Sequence, residues 1–223
     1  MFNHYAKNVY SQNGEDGILE EILKLLGIQN SADSWCVEFG AWDGKHLSNT
    51  FNLVTQGWSS VMIEGDSERF QSLIQTAKEF HNMHIIEAYV SQYNTENNSL
   101  DKLLSTTPIP NNFELLSIDV DSYDSDIWET LQNYSAKVVV IEINGSVPPG
   151  IYWRHKDTPI DSVSIGTTFS EMLNIAKQKS YTLVCQPGNC IFVKNDLLPL
   201  LNMPPDLIES PELLFAKEFL YDK

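Results

Sequence analysis

Basic residues are scarce in this chain of 223 residues: 14 Lys and Arg stand against 30 Asp and Glu, for a formal net charge of −16. A field of that sign repels phosphate backbones and anionic headgroups, which argues against nucleic acid or a charged membrane surface as a general partner. Long apolar runs are also missing. No stretch approaches the roughly 20 apolar residues of a membrane span, and residues 1–8 hold no apolar core of signal-peptide length, so the expectation is a cytoplasmic protein. Cysteine is limited to Cys36, Cys185 and Cys190. That odd, sparse set fits reduced thiols better than a disulfide framework, and Cys185 and Cys190 read as buried strand residues sooner than as metal ligands. His4, His46, His81 and His84 show no ligand-set spacing. The Gly-x-Gly-x-x-Gly mark of a dinucleotide-binding hydride enzyme is absent, as are internal repeats and low-complexity tracts.

What is present is enough to fold. Apolar residues make up 42% and aromatic residues 11% of the chain, five of them Trp, which supports one sizeable core and argues against disorder. Residues 35–44, Trp-Cys-Val-Glu-Phe-Gly-Ala-Trp-Asp-Gly, read as a buried strand entering a turn. Gly40 and Gly44 there allow a tight bend or the close approach of a ligand. Glu38 and Asp43 flank the bend, where a pyrophosphate-binding loop would keep negative charge away. Such an acidic cradle suits a ligand with cationic and hydroxyl groups and no phosphate, and S-adenosylmethionine fits that description.

The rest of the chain alternates. Apolar residues at helical spacing predict a helix from Ile18, stopping at Gly27, after a polar lead-in at 10–17. Further helices are expected over 46–56, 66–81, 100–104, 124–134 and, from the capping-box pattern Thr168-Phe169-Ser170-Glu171, over 168–179. Strands are expected over 58–64, 84–90, 115–120 and 138–143, followed by an antiparallel pair at 181–185 and 190–194. Glu64 ends the second strand 24 residues after Gly40, near the spacing of about 20 at which an acidic side chain meets ribose hydroxyls. The order predicts an α/β three-layer sandwich, Rossmann-like, with a mostly parallel sheet and an antiparallel terminal pair. One domain is expected: an N-terminal helical extension over 1–30, a core over 31–195 and a C-terminal wrap over 196–223.

Seven motifs stand in order: Tyr10-Ser11-Gln12-x-Gly14-Glu15-Asp16-Gly17, Val37-Glu38-Phe39-Gly40-Ala41-x-Asp43-Gly44, Ser48-Asn49-Thr50, Gly57-Trp58, Ile63-Glu64-Gly65-Asp66, Leu116-Ser117-Ile118-Asp119-Val120-Asp121 and Val139-Val140-Ile141-Glu142-x-Asn144. In this combination the chain resembles the class I S-adenosylmethionine-dependent methyltransferases, and within them the FkbM-like group associated with O-methylation of sugars and other natural-product hydroxyls. The resemblance implies a seven-stranded sheet with cofactor over the first two strand ends and substrate over the fourth and fifth. It puts Gln12, Glu15, Glu38, Gly40, Asp43, Asn49, Glu64 and Asp119 among the cofactor-binding residues. It also implies a sugar or nucleotide-sugar substrate of the kind used in capsule or surface-glycan biosynthesis.

The chemistry of the strand ends extends this. A sugar hydroxyl ionises far above neutral pH, so its methylation needs a base or a divalent cation. Asp119 and Asp121 alternate to one side of an extended segment, and Glu142 and Asn144 do so on the neighbouring strand. Asp119, Asp121 and Glu142 form a hard-oxygen set suited to Mg²⁺ or Mn²⁺, and Asn144 is a candidate substrate contact. The long segment 145–166 carries Arg154 and Lys156, candidates to hold a phosphate or uronate of the acceptor, and His155, a candidate general base beside Asp119. Two other readings use the same residues: a non-catalytic nucleoside or glycan-binding module on this fold, and an Asp-x-Asp phosphatase built on Asp119 and Asp121. The second leaves Glu38, Gly40 and Glu64 without a task.

Overall fold

The computed structural model describes residues 1–154 and 166–217. After a 3-10 turn at Phe2–Tyr5 the order is α1 (Glu15–Leu25), β1 (Trp35–Phe39), α2 (Phe51–Thr55), β2 (Ser59–Glu64), α3 (Ser67–Ala77) and β3 (Met83–Glu87). There follow α4 (Leu100–Leu104), β4 (Asn112–Ile118), α5 (Asp124–Thr130), β5 (Ser135–Ile141), α6 (Phe169–Gln178), β6 (Tyr181–Cys185), β7 (Cys190–Lys194) and α7 (Pro205–Glu209). The strands form one seven-stranded sheet in the order β3-β2-β1-β4-β5-β7-β6. All pairings from β3 to β5 are parallel, while β7 runs antiparallel to both β5 and β6. This is the expected α/β sandwich with its antiparallel terminal pair.

Strand alternation builds two cores from one sheet. Val37, Phe39, Val61, Ile63, Leu116, Ile118, Val139 and Ile141 point to one face, where they meet Leu104, Ile127, Trp128, Phe169 and Met172 of α4, α5 and α6. Cys36, Met62, Leu115, Val138 and Val140 point to the other, where Ile18, Leu19, Ile22, Phe51 and Leu73 of α1, α2 and α3 cover them. Helix α1 is therefore part of a covering layer. Its residues Ile18 and Ile22 are fully buried, and truncating either to Ala would cost about 2–5 kcal/mol. No helix among the described residues is long and apolar enough to cross a membrane. The three thiols are free and buried.

Several elements are shorter than periodicity alone predicts. Residues 46–50 are loop, because the side chains of Ser48 and Thr50 are drawn onto Glu38 and α2 begins only at Phe51. Asp66 caps α3 by accepting from Glu68 N and Arg69 N, so the helix starts at Ser67. Strand β3 ends at Glu87, and α5 stops at Thr130. The Thr168 hydroxyl does not close the predicted capping box. It donates to Ile151 O at 2.7 Å and accepts from Trp153 N at 3.1 Å, tying segment 151–153 to the start of α6.

Candidate active site

The sheet order reverses between β1 and β4, and a cleft of about 540 Å³ opens at the carboxyl ends of the strands there. That is where parallel α/β sheets hold ligands, and the volume falls within the range of small-molecule sites. Gly40, Glu64, Asp119 and Glu142 come from the ends of four strands and all line it, together with Gln12, Glu38 and Asp121.

Gly40 has φ +75°, and a Cβ placed on it would overlap the carbonyl oxygen of Asp119. The close approach read from sequence is therefore real, but what approaches is the chain's own β4 end and not a ligand. Gly44, at φ +78°, leaves room for Leu73, whose Cδ1 would stand 2.7 Å from an added Cβ. Trp42, Leu47 and Asp121 have φ of 51°, 55° and 58°, and all three line the cleft. Non-glycine residues held in that region cost about 1–2 kcal/mol each and tend to gather at functional sites.

The acids divide into those that build the loops and those left facing the cleft. Buried Glu38 accepts from Ser48 Oγ at 2.5 Å, Thr50 Oγ1 at 2.6 Å and Asn49 N at 3.0 Å, so it organises loop 48–50 while lining the cleft floor. Burial raises its pKa, and the three donors oppose that rise. Glu64 accepts from Trp42 N at 2.7 Å and Asp66 N at 2.8 Å, one on each oxygen, which fixes the turns after β1 and β2 and leaves lone pairs toward the cleft. Asp124, fully enclosed at the start of α5, accepts from Val120 N at 2.8 Å and Ser122 N at 3.0 Å. It thereby bends segment 119–123 and presents Asp119 and Asp121. Because Asp121 lies in the left-handed region, that segment is not the extended strand that simple alternation predicts.

Asp119, Asp121 and Glu142 nevertheless converge, with one carboxylate oxygen of each within 4.8 Å of the others. The pKa values of Asp119 and Glu142 are both raised. In both cases burial in the cleft is the larger cause and the neighbouring carboxylates, Asp124 and Asp121 among them, the next. Asp119 and Asp121 stay exposed at the cleft mouth, and Glu142 is half-buried. The two acids titrate together above the ordinary carboxylate range.

Other predicted residues lie off this cleft. Asp43 accepts from Lys45 N and His46 N as a turn cap. Asn49 is buried and donates to Ser117 Oγ. Glu15 is fully buried and accepts from Asn13 N at 2.7 Å, holding the loop that carries Gln12 to the cleft. Asn144 accepts from Ser146 N and Ser146 Oγ within its own loop. The Arg154 guanidinium pairs with Glu129 at 2.6 Å, Asp126 at 3.6 Å and Glu171 at 3.8 Å, so it clamps segment 145–154 to α5 and α6. His155 and Lys156 lie outside the described residues. Sequence reasoning passed over the rim. The Arg69 guanidinium sits 4.2 Å from the ring centre of Trp42, His46 packs edge-on to that ring, and Tyr89 lies over Gly65 with 71% of its surface exposed. An aromatic residue inside the turn 41–43 was the one available signal.

No family model and no curated protein matches this chain. Solved structures do. The CurJ carbon methyltransferase is similar over 86% of this chain and 56% of its own, at 6% identity and a TM-score of 0.53. The CMeT domain of the citrinin polyketide synthase is similar over 81% and 51%, at 9% identity and a TM-score of 0.49. A SAM-dependent methyltransferase from Aquifex aeolicus is similar over 78% and 86%, at 13% identity and a TM-score of 0.45. At these identities the likeness is one of fold: the seven-stranded, Rossmann-like sheet of class I methyltransferases.

Proposed function

We propose that this protein is an S-adenosylmethionine-dependent O-methyltransferase acting on a sugar hydroxyl. The observation that carries the reading is the convergence of Glu64 and the Asp119–Asp121–Glu142 group, from separate strands, on one cleft at the sheet's switch point. Glu64, with lone pairs free beyond its two backbone bonds, suits the paired hydroxyls of a ribose. The acidic floor suits a ligand bearing ammonium and sulfonium charge.

The residues present fit the cofactor, which when bound would supply an electrophilic methyl group on a positively charged sulfur. Without a bound cation, Asp119 is suited to hold the acceptor's hydroxyl proton, because a base with a pKa raised toward neutrality is matched to its task. Glu38 and Asp124 keep the two sides of the cleft in register, so that donor and acceptor groups meet in line. Three carboxylates whose oxygens lie within 4.8 Å of one another also fit an oxygen-preferring divalent cation. Asp119, Asp121 and Glu142 would hold it, and it would neutralise their mutual repulsion and acidify a nearby hydroxyl. A phosphate on the acceptor draws no support from Arg154, whose guanidinium is committed to three carboxylates.

The test is transfer of a labelled methyl group from S-adenosylmethionine to a panel of monosaccharides, nucleotide sugars and phenols. Label on a sugar hydroxyl, reduced by chelation and restored by Mn²⁺, is the expected result. Label on small phenols with none on any sugar overturns the acceptor class. Full activity after exhaustive chelation overturns the cation, leaving Asp119 to take the proton directly.

A further inference from the structure

A second cavity, of about 390 Å³, lies at the amino-terminal edge of the sheet, opposite the cleft, between the end of α5, the start of β5, the end of α6 and the β6–β7 pair. Its lining includes Lys179 and Lys194 and no carboxylate, although acids outnumber bases by 30 to 14 in the chain. Neither lysine forms an ion pair among the described residues. Lys179 Nζ donates to the carbonyls of Leu131, at 2.9 Å, and Glu129, at 3.4 Å. Lys194 Nζ donates to Ser135 Oγ at 2.8 Å, so each ammonium keeps N–H capacity beyond these neutral acceptors. The nearby acids are engaged or exposed. Asp101 accepts from Gln132 N and Asn133 N, Glu129 pairs with Arg154, and Asp196 is exposed. Gln132 and Gln178 add exposed side-chain amides, and Tyr134 a phenol beside them.

We propose that this cavity binds a small phosphorylated metabolite of about the size of a hexose phosphate, with the phosphate held by Lys179 and Lys194. Two partly buried ammonium groups with hydrogen-bonding capacity to spare are the arrangement a phosphate dianion complements. The volume lies at the small end of ligand sites and suits a sugar phosphate rather than a nucleotide sugar.

Isothermal titration with glucose 6-phosphate, and with glucose as the uncharged control, at constant ionic strength tests this. Saturable binding of glucose 6-phosphate and none of glucose is expected. Lys194→Gln should weaken binding at least tenfold, while Lys177→Gln, on the exposed face of α6, and Asp119→Asn, in the cleft, should leave it unchanged. Lys179→Gln is the less decisive variant, since it also uncaps α5. Absence of saturable binding, or equal binding in Lys194→Gln, overturns the proposal. Loss of binding in Asp119→Asn would move the ligand to the cleft and overturn it as well.

Discussion

Replacing Gly40 by Ala perturbs the contact on which the cleft is built. Two costs add there. Alanine in the left-handed region costs about 1–2 kcal/mol whatever its surroundings. The new methyl would also overlap the Asp119 carbonyl oxygen, which belongs to the backbone and cannot turn aside, and overpacking of that kind costs about 1–3 kcal/mol more. Gly57 supplies the control, because it also has positive φ, at +100°, but an added Cβ there meets nothing within 4 Å. For a chain of this size each kcal/mol is worth about 2–4 °C, so Gly40→Ala should melt at least about 2 °C below Gly57→Ala. The separation of β1 from β4 should also weaken binding of S-adenosylhomocysteine in the Gly40 variant alone. Scanning calorimetry gives the first comparison and titration of folded protein gives the second. Equal melting temperatures for the two variants would refute the reasoning that backbone contact, and not backbone conformation alone, demands the glycine.

Asp124→Ala strips two backbone donors, Val120 N and Ser122 N, of a buried acceptor; a loss of about 2–4 kcal/mol by denaturant titration is expected, together with loss of transfer activity as Asp119 and Asp121 are no longer presented. Glu38, Asp119, Asp124 and Glu142 are all raised above ordinary carboxylate values, so above those ordinary values the folded state holds more protons than the unfolded. Their contribution is fully present below the unfolded pKa values and is lost as pH rises through the folded ones. The cation-free protein should therefore lose melting temperature between about pH 5 and 8 more steeply than an Asp119→Asn, Glu142→Gln double variant, and a wild-type slope no steeper than the variant's would contradict this. Arg154→Met should cost about 1 kcal/mol by releasing segment 145–154 and should depress turnover of neutral and phosphorylated sugars alike. Selective loss of phosphorylated acceptors would return Arg154 to the substrate.

The strands were legible because β-branched and apolar runs such as residues 138–143 suit only a sheet buried on both faces, and because carboxylates mark where the runs end. The convergence of Gly40, Glu64, Asp119 and Glu142 followed from strand order alone. What the side chains do at those ends was not legible. Glu38, Glu64 and Asp124 each spend their oxygens on backbone or hydroxyl donors contributed by loops 2 to 22 residues away, partners that no local pattern names. Asp43 and Asn144 satisfy donors in their own turns, a competing use of short polar side chains that motif matching cannot separate from ligand binding. Arg154 illustrates the same limit at longer range, since Asp126, Glu129 and Glu171 become its neighbours only after α5 and α6 have packed side by side.

The central claim, that the cleft at the β1–β4 switch is an S-adenosyl site, is tested most directly by calorimetric titration of the protein with S-adenosylmethionine and S-adenosylhomocysteine, set against a nicotinamide dinucleotide. Saturable binding of the S-adenosyl compounds, weakened in Glu64→Ala by about 1–3 kcal/mol through loss of charged hydrogen bonds, is the predicted result. Heat of binding for the dinucleotide, and none for either S-adenosyl compound, would contradict the account.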